Sequence, residues 1–154
     1  MLPTAPPYLG WLVADPKWRI ALERVRQSDI PWNWRDVADW NALLEWAGGE
    51  PAGLSLAEVD SADPIAWARR IAQLRRWIPG HRVMIVGQAG LRPWAGVWLE
   101  AGAVTCAFSV READRLAAII RRFATRVPRS NQTIREAVAS ALPWPGLATP
   151  GWSA

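Results

Sequence analysis

A three-layer α/β/α domain built on a five-stranded parallel sheet is the fold class this sequence predicts. Two observations carry it. Short, largely apolar runs alternate five times with longer stretches whose apolar residues recur at helical spacing. Asp-Pro pairs open two of those stretches, at Asp15-Pro16 and Asp63-Pro64. In each the aspartate supplies a side-chain cap, and the proline a first-turn residue whose missing N–H costs nothing. The 154 residues suit a single domain of this kind.

Residues 1–7 read as a flexible N-terminus. Residues 9–14 form a short apolar strand, and the helix after it, to about residue 27, places Trp18, Ala21, Leu22 and Val25 on one face. Residues 31–35 are a weak second strand. Asp36 is read as the cap of a second helix with Val37, Trp40, Leu43, Leu44 and Ala47 in a stripe, stopped by Gly48-Gly49. Residues 52–59 are apolar enough for a strand covered on both faces. The third helix points Trp67, Ile71, Leu74 and Ile78 inward, leaves Arg69, Arg70, Arg75 and Arg76 in solvent, and ends at Pro79-Gly80. Residues 83–86 make the fourth strand, and residues 93–101 a short helix with Trp94, Val97 and Trp98 three and four apart. Residues 103–108 are the fifth strand. Ser109 to Glu112 then has the spacing of a capping box, opening a last long helix with Ala113, Leu116, Ile120, Phe123 and Val127 inward. Beyond the domain at residues 8–128, residues 129–154 read as a short amphipathic helix and a flexible tail.

Composition excludes several chemistries. Cys106 is the only cysteine and His81 the only histidine, so a His/Cys zinc site and a Ser-His-Asp triad both lack members. No metal and no cofactor is expected. Cys106 reads as a small core or interface residue, and His81, after Pro79-Gly80, as a surface one. No apolar run approaches the roughly 20 residues of a membrane span and no secretion signal opens the sequence, so a cytoplasmic protein is expected. The net charge of +4 rests on arginine, with Lys17 the single lysine, a bias that suits phosphate recognition or simply a GC-rich genome. Twelve tryptophans exceed what one small core needs, so several are expected at a binding surface.

In an open parallel sheet, ligands gather at the carboxyl ends of the strands. Here those ends are Ala14-Asp15, Glu58-Val59-Asp60, Gly87-Gln88 and Phe108-Ser109. Glu58 and Asp60 are read as facing opposite sides of the chain, which argues against a carboxylate pair. Gly87-Gln88-Ala89-Gly90 follows a strand, but lacks the lysine and glycine spacing of a phosphate loop.

The segment Glu50-Pro51-Ala52-Gly53-Leu54-Ser55-Leu56-Ala57-Glu58-Val59 resembles the strand of bacterial response-regulator receiver domains that ends in the phospho-acceptor aspartate. Leu99-Glu100-Ala101-Gly102-Ala103 is similar to the receiver signature entering the fifth strand. The resemblance spans roughly residues 8 to 127. It implies a flavodoxin-like fold with strand order 2-1-3-4-5 and a place in two-component signalling. Receivers need an acid pair after strand one, an aspartate after strand three, a hydroxyl after strand four and Lys-Pro after strand five. The matching positions here hold Ala14-Asp15 (or Val13-Ala14), Glu58, Gly87 and Ser109-Val110, with Cys106 at the aromatic switch position. One or two carboxylates on arms of different length would hold magnesium weakly, and little would neutralise a transferring phosphoryl group.

The resemblance therefore implies a pseudo-receiver that neither accepts phosphate nor switches by it. Glu58 is then either a permanent mimic of the phosphorylated state or a solvated strand-end residue. The expected function is a protein interaction module, not an enzyme. Its partner, or a second copy, would dock on the face of the fourth helix, fifth strand and fifth helix, where Trp94, Val97, Trp98, Arg111, Arg115, Arg122 and Arg126 fall. Trp94 and Trp98 alternatively pack that helix on the sheet. Two competing readings are nucleic-acid binding through the arginines, which lacks a DNA-reading motif, and a small-ligand or enzymatic domain, which lacks titratable groups at the strand ends.

Overall fold

The computed structural model describes residues 8–26, 32–49 and 53–126. Its elements, in chain order, are β1 (Tyr8–Leu12), α1 (Pro16–Arg26), β2 (Asn33–Asp36), α2 (Trp40–Gly48), β3 (Gly53–Glu58) and α3 (Pro64–Trp77), followed by β4 (His81–Val86), α4 (Ala95–Ala101), β5 (Thr105–Ala107) and α5 (Ala113–Arg126). Short 3-10 turns, Ala89–Trp94 and Val110–Glu112, lead into α4 and α5. The five strands form one parallel sheet in the order β2-β1-β3-β4-β5, with Leu9 opposite both Trp34 and Leu54, Ala57 opposite Ile85, and Ile85 opposite Cys106. The N-terminus at residues 1–7, the helix and tail at 129–154, Pro31 and Val127 lie outside the described residues.

Side chains alternate across a strand, and this divides the core in two. Leu9, Trp11, Leu54, Leu56, Met84 and Val86 point to one face, where Trp18 and Leu22 of α1 and Leu116 and Ile120 of α5 cover them. Ala57, Val83, Ile85 and Cys106 point to the other, beneath Leu43 of α2, Ile71 and Leu74 of α3, and Trp98 of α4. Helices on both sides explain why the central strands are continuously apolar.

The caps follow the sequence with one correction. Asp63 accepts the Ala66 N–H at 2.9 Å with Pro64 in the first turn, and Asp15 accepts the Lys17 N–H at 2.8 Å. The cap of α2, however, is Asp39, which accepts the Ala42 N–H at 2.8 Å. Asp36 instead ends β2 and pairs with Arg19. Both aspartates precede Trp40, Leu43, Leu44 and Ala47, and the sheet register, which keeps Asp36 opposite Trp11, decides between them and leaves Val37 outside the helix. The capping box at Ser109 is complete, with Glu112 Oε2 accepting from Phe108 N at 2.8 Å and Ser109 N at 3.2 Å. Burial opposes the Glu112 charge, but these donors and Arg115 hold its carboxyl below the usual range.

Two further expectations fail by burial. His81 is 3% exposed, because β4 begins at that residue and its ring turns into the core edge-on to Trp46, with ring centroids 5.5 Å apart. Room for both rings is made by glycines. A Cβ on Gly10 would collide with the Trp46 ring, and one on Gly53 would lie 2.9 Å from His81 Nδ1. The tryptophans are also mostly structural. Trp11, Trp18, Trp32, Trp40, Trp67 and Trp98 are buried, Trp34, Trp46 and Trp94 are half-buried, and among the described residues Trp77 alone, 64% exposed, is a surface tryptophan.

Candidate functional site

The carboxyl edge of the sheet brings together the ends of β1, β3, β4 and β5. β3 reaches it in register with β4, Glu58 standing opposite Val86, and the pairing continues one step through Val59 N–H to Val86 O at 2.9 Å. Glu58 does not extend into solvent. Its Oε2 accepts the Ala14 N–H at 2.6 Å and the Asp15 N–H at 2.8 Å, so the half-buried carboxylate ties the end of β3 to the loop entering α1. Charged acceptors on backbone amides make strong hydrogen bonds, and the start of a helix favours the negative charge. The reading of Glu58 as a solvated strand end is thus corrected: the extra methylene of glutamate carries the carboxylate across to the neighbouring loop. Glu58→Ala, which leaves both amides without this acceptor, is expected to lower the unfolding free energy by about 1–2 kcal/mol. Glu58→Gln, which keeps an acceptor oxygen, is expected to lose less, and urea unfolding curves distinguish the two.

Beside this tether lies an open cleft of about 620 Å³, between the ends of β1 and β3 and the starts of α2 and α3. Trp40 and Trp67 meet edge to face at 5.6 Å in its wall, and the Arg70 guanidinium sits 4.9 Å above the Trp67 ring. Arg19 donates to Val13 O and to Asp36 Oδ1, each at 2.8 Å. Glu58 and Asp60 line the same cleft, correcting their assignment to opposite sides; residues two apart on an extended chain share a face. Arg19, Arg70, Trp40 and Trp67 were missed as edge residues. One signal was available for Arg19, which falls in the first turn after Asp15-Pro16 and so stays near the edge. Arg70 reaches back from the second turn of α3, which sequence spacing does not reveal.

The other edge positions are occupied by structural contacts. The Gly87 N–H donates to Ala107 O at 3.0 Å, and a Cβ there would press on Leu91 Cδ1 at 3.3 Å. The Ser109 hydroxyl accepts the Arg111 N–H at 3.3 Å as part of the cap. Cys106 is 8% exposed, and burial pushes its thiol up to about 11, against the opposing pull of Arg115. Among the described residues, no group of three or more His, Cys, Asp or Glu side chains gathers as a metal site.

On the face of α4, β5 and α5, the two tryptophans follow the alternative in which they pack the fourth helix on the sheet. Trp98 is fully buried and its indole N–H donates to Pro64 O at 2.9 Å, so it anchors α4 rather than facing a partner. Trp94 is half-buried against the same core cluster. Arg115 bonds Thr105 Oγ1 at 2.9 Å, Cys106 O at 2.7 Å and Glu112 Oε1 at 2.8 Å, covering the short edge strand β5 instead of standing free. Val97 is 43% and Val104 40% exposed, and Arg111 and Arg122 are exposed. Arg126 ends α5, outside the residues whose side chains are described.

Among the described residues, no helix is long and apolar enough to cross a membrane. No protein-family model and no curated protein matches the sequence. Solved structures do. A response regulator from Thermotoga maritima superposes with a TM-score of 0.65 at 14% identity, covering 78% of this chain and 98% of its own. A CheY-like protein, TadZ, from Pseudomonas aeruginosa gives 0.61 at 19%, covering 79% and 96%. The pilus assembly protein CpaE from Caulobacter crescentus gives 0.55 at 16%, covering 76% and 96%. At such identities the likeness speaks for fold alone, and together with the strand order β2-β1-β3-β4-β5 it establishes that this chain carries the flavodoxin-like receiver fold.

Proposed function

We propose that this chain is a receiver-type module that works by protein contact, without phosphorylation. The observation that carries the reading is the Glu58 carboxylate, which stands where the resemblance puts the phospho-acceptor and is held by the amides of Ala14 and Asp15. An oxygen so held is not presented for in-line attack, and Ala14, Gly87 and Ser109 supply neither a second metal-binding carboxylate, nor a switch hydroxyl, nor a cation. Glu58 in this reading is a structural tether, not a mimic of a phosphoryl group.

Contact then falls to the faces. Val97 and Val104 offer exposed apolar area on α4 and the loop that follows it, and Arg111 and Arg122 are exposed charges around α5, residue types suited to docking a partner or a second copy. That the same fold occurs in CpaE, a pilus assembly protein, accords with a module that works by contact. Incubation with acetyl phosphate and magnesium tests the reading. The expected result is no labelled protein and an unchanged particle mass by light scattering. Stoichiometric labelling that disappears in Glu58→Gln would sink it.

A further inference from the structure

Helix α3 carries four arginines, Arg69, Arg70, Arg75 and Arg76, and no acidic residue. Among the described residues none of the four takes part in an ion pair, whereas Arg19, Arg26, Arg92 and Arg115 all do. The buried stripe of the helix is Trp67, Ile71 and Leu74, and on its other side Ile65, Arg69, Ala72 and Arg76 follow one another at helical spacing, all exposed. Ile65 is 52% exposed in the first turn, and Trp77, the surface exception among the described tryptophans, 64% exposed in the last. About 18 Å of helix separates the two. Arg75 extends the basic end toward α4, its stem lying over Gly102, where an added Cβ would stand 2.7 Å from Arg75 Cδ. The flanking helices α2 and α4 contribute one exposed carboxylate each, Glu45 and Glu100.

We propose that the outer face of α3 binds an anionic lipid surface, a contact separate from Val97 and Val104 and additional to the protein contacts proposed above. A helix lying along a bilayer places arginines at the phosphates, a tryptophan ring in the headgroup layer and an aliphatic side chain at the acyl boundary, and α3 presents all three to solvent. Basic charge and apolar insertion are separate attractions, and together they give reversible peripheral binding. Shape favours a lipid surface over a folded partner. The 620 Å³ cleft ends at Trp67 and Arg70, so Ile65, Arg69, Arg76 and Trp77 stand on the convex helix outside its lining. Duplex DNA satisfies the arginines but leaves Ile65 and Trp77 against a charged backbone. Residues 127–154 of this chain carry Arg129 and Arg135 against Glu136, the wrong sign to cover a basic face.

Co-sedimentation of the full chain with lipid vesicles tests the proposal. Vesicles of equal parts phosphatidylglycerol and phosphatidylcholine are expected to carry the protein down, less so as salt rises, and phosphatidylcholine alone to leave it in solution. Arg69→Gln combined with Arg76→Gln, which removes two charges and keeps helix propensity, is expected to weaken binding by roughly tenfold or more. Trp77→Ser is expected to weaken it severalfold. All three positions are exposed, and unchanged melting curves verify that the variants fold. Anionic vesicles with brominated acyl chains are expected to quench tryptophan emission in the parent chain and to quench it less in Trp77→Phe. The proposal is overturned if the anionic vesicles fail to sediment the protein, if phosphatidylcholine alone serves as well, or if the double substitution has no effect. It is equally overturned if brominated chains quench the parent and Trp77→Phe alike, or if polyglutamate or duplex DNA binds as tightly at equal charge concentration. None of these outcomes depends on whether Glu58 accepts phosphate.

Discussion

Trp98→Ala is expected to lower the unfolding free energy by about 3–5 kcal/mol, a large fraction of the roughly 5–15 kcal/mol that holds a domain together. The side chain is fully buried, stacks near Phe108 at 6.2 Å between centroids, and donates to Pro64 O at the first turn of α3. Its removal leaves a cavity beneath α4 and takes the indole partner from that carbonyl. Val97→Ala, one residue earlier and 43% exposed, is expected to change stability by only about 0.5 kcal/mol or less. Guanidinium unfolding of the two variants tests the division of α4 into an anchoring and an accessible face. A small loss in Trp98→Ala would return Trp98 to the surface.

Acidification is expected to destabilise the fold between about pH 6.5 and 4 through one residue. Burial lowers the His81 pKa from 6.5 to about 4, and the ring shares a 2.5 Å hydrogen bond with the buried Ser55 hydroxyl while Nδ1 has no partner among the described residues. The unfolded chain takes up a proton as pH drops below 6.5, and the folded one resists until about 4. Stability is therefore full above that window, falls through it, and levels off below it as far as this group is concerned. Full expression of the shift corresponds to about 3 kcal/mol. His81→Gln is expected to flatten the slope in that window. The lowered carboxyl of Glu112 adds a separate loss at lower pH, as the pH falls below its ordinary 4.5. Urea unfolding at a series of pH values measures both, and a slope retained in His81→Gln would show that other groups carry it.

Much of the architecture was legible in the chain. Asp63-Pro64, the Ser109 to Glu112 box and the stripe Trp67, Ile71, Leu74 are local signals, satisfied within a turn or two of backbone, and the structure realises them where they stand. Boundaries between competing local signals were not legible. Asp36 and Asp39 are equally good caps by sequence, and pairing with Trp11 selects Asp39 by drawing Asp36 into β2. His81 looked like a surface residue because the two glycines that make space for it and Trp46 lie on other strands.

The site divides along the same line. Sequence alone determined which residues end the strands at the carboxyl edge of the sheet, Glu58 among them, because a strand end is a local property. Only the tertiary structure decided what those residues do there. Glu58 reaches across from residue 58 to the amides at 14 and 15, Arg115 folds over β5, and Trp98 turns inward beneath Pro64. Each of these joins separate elements, and the strength of such a bond depends on the distance and direction of a partner that no local pattern encodes.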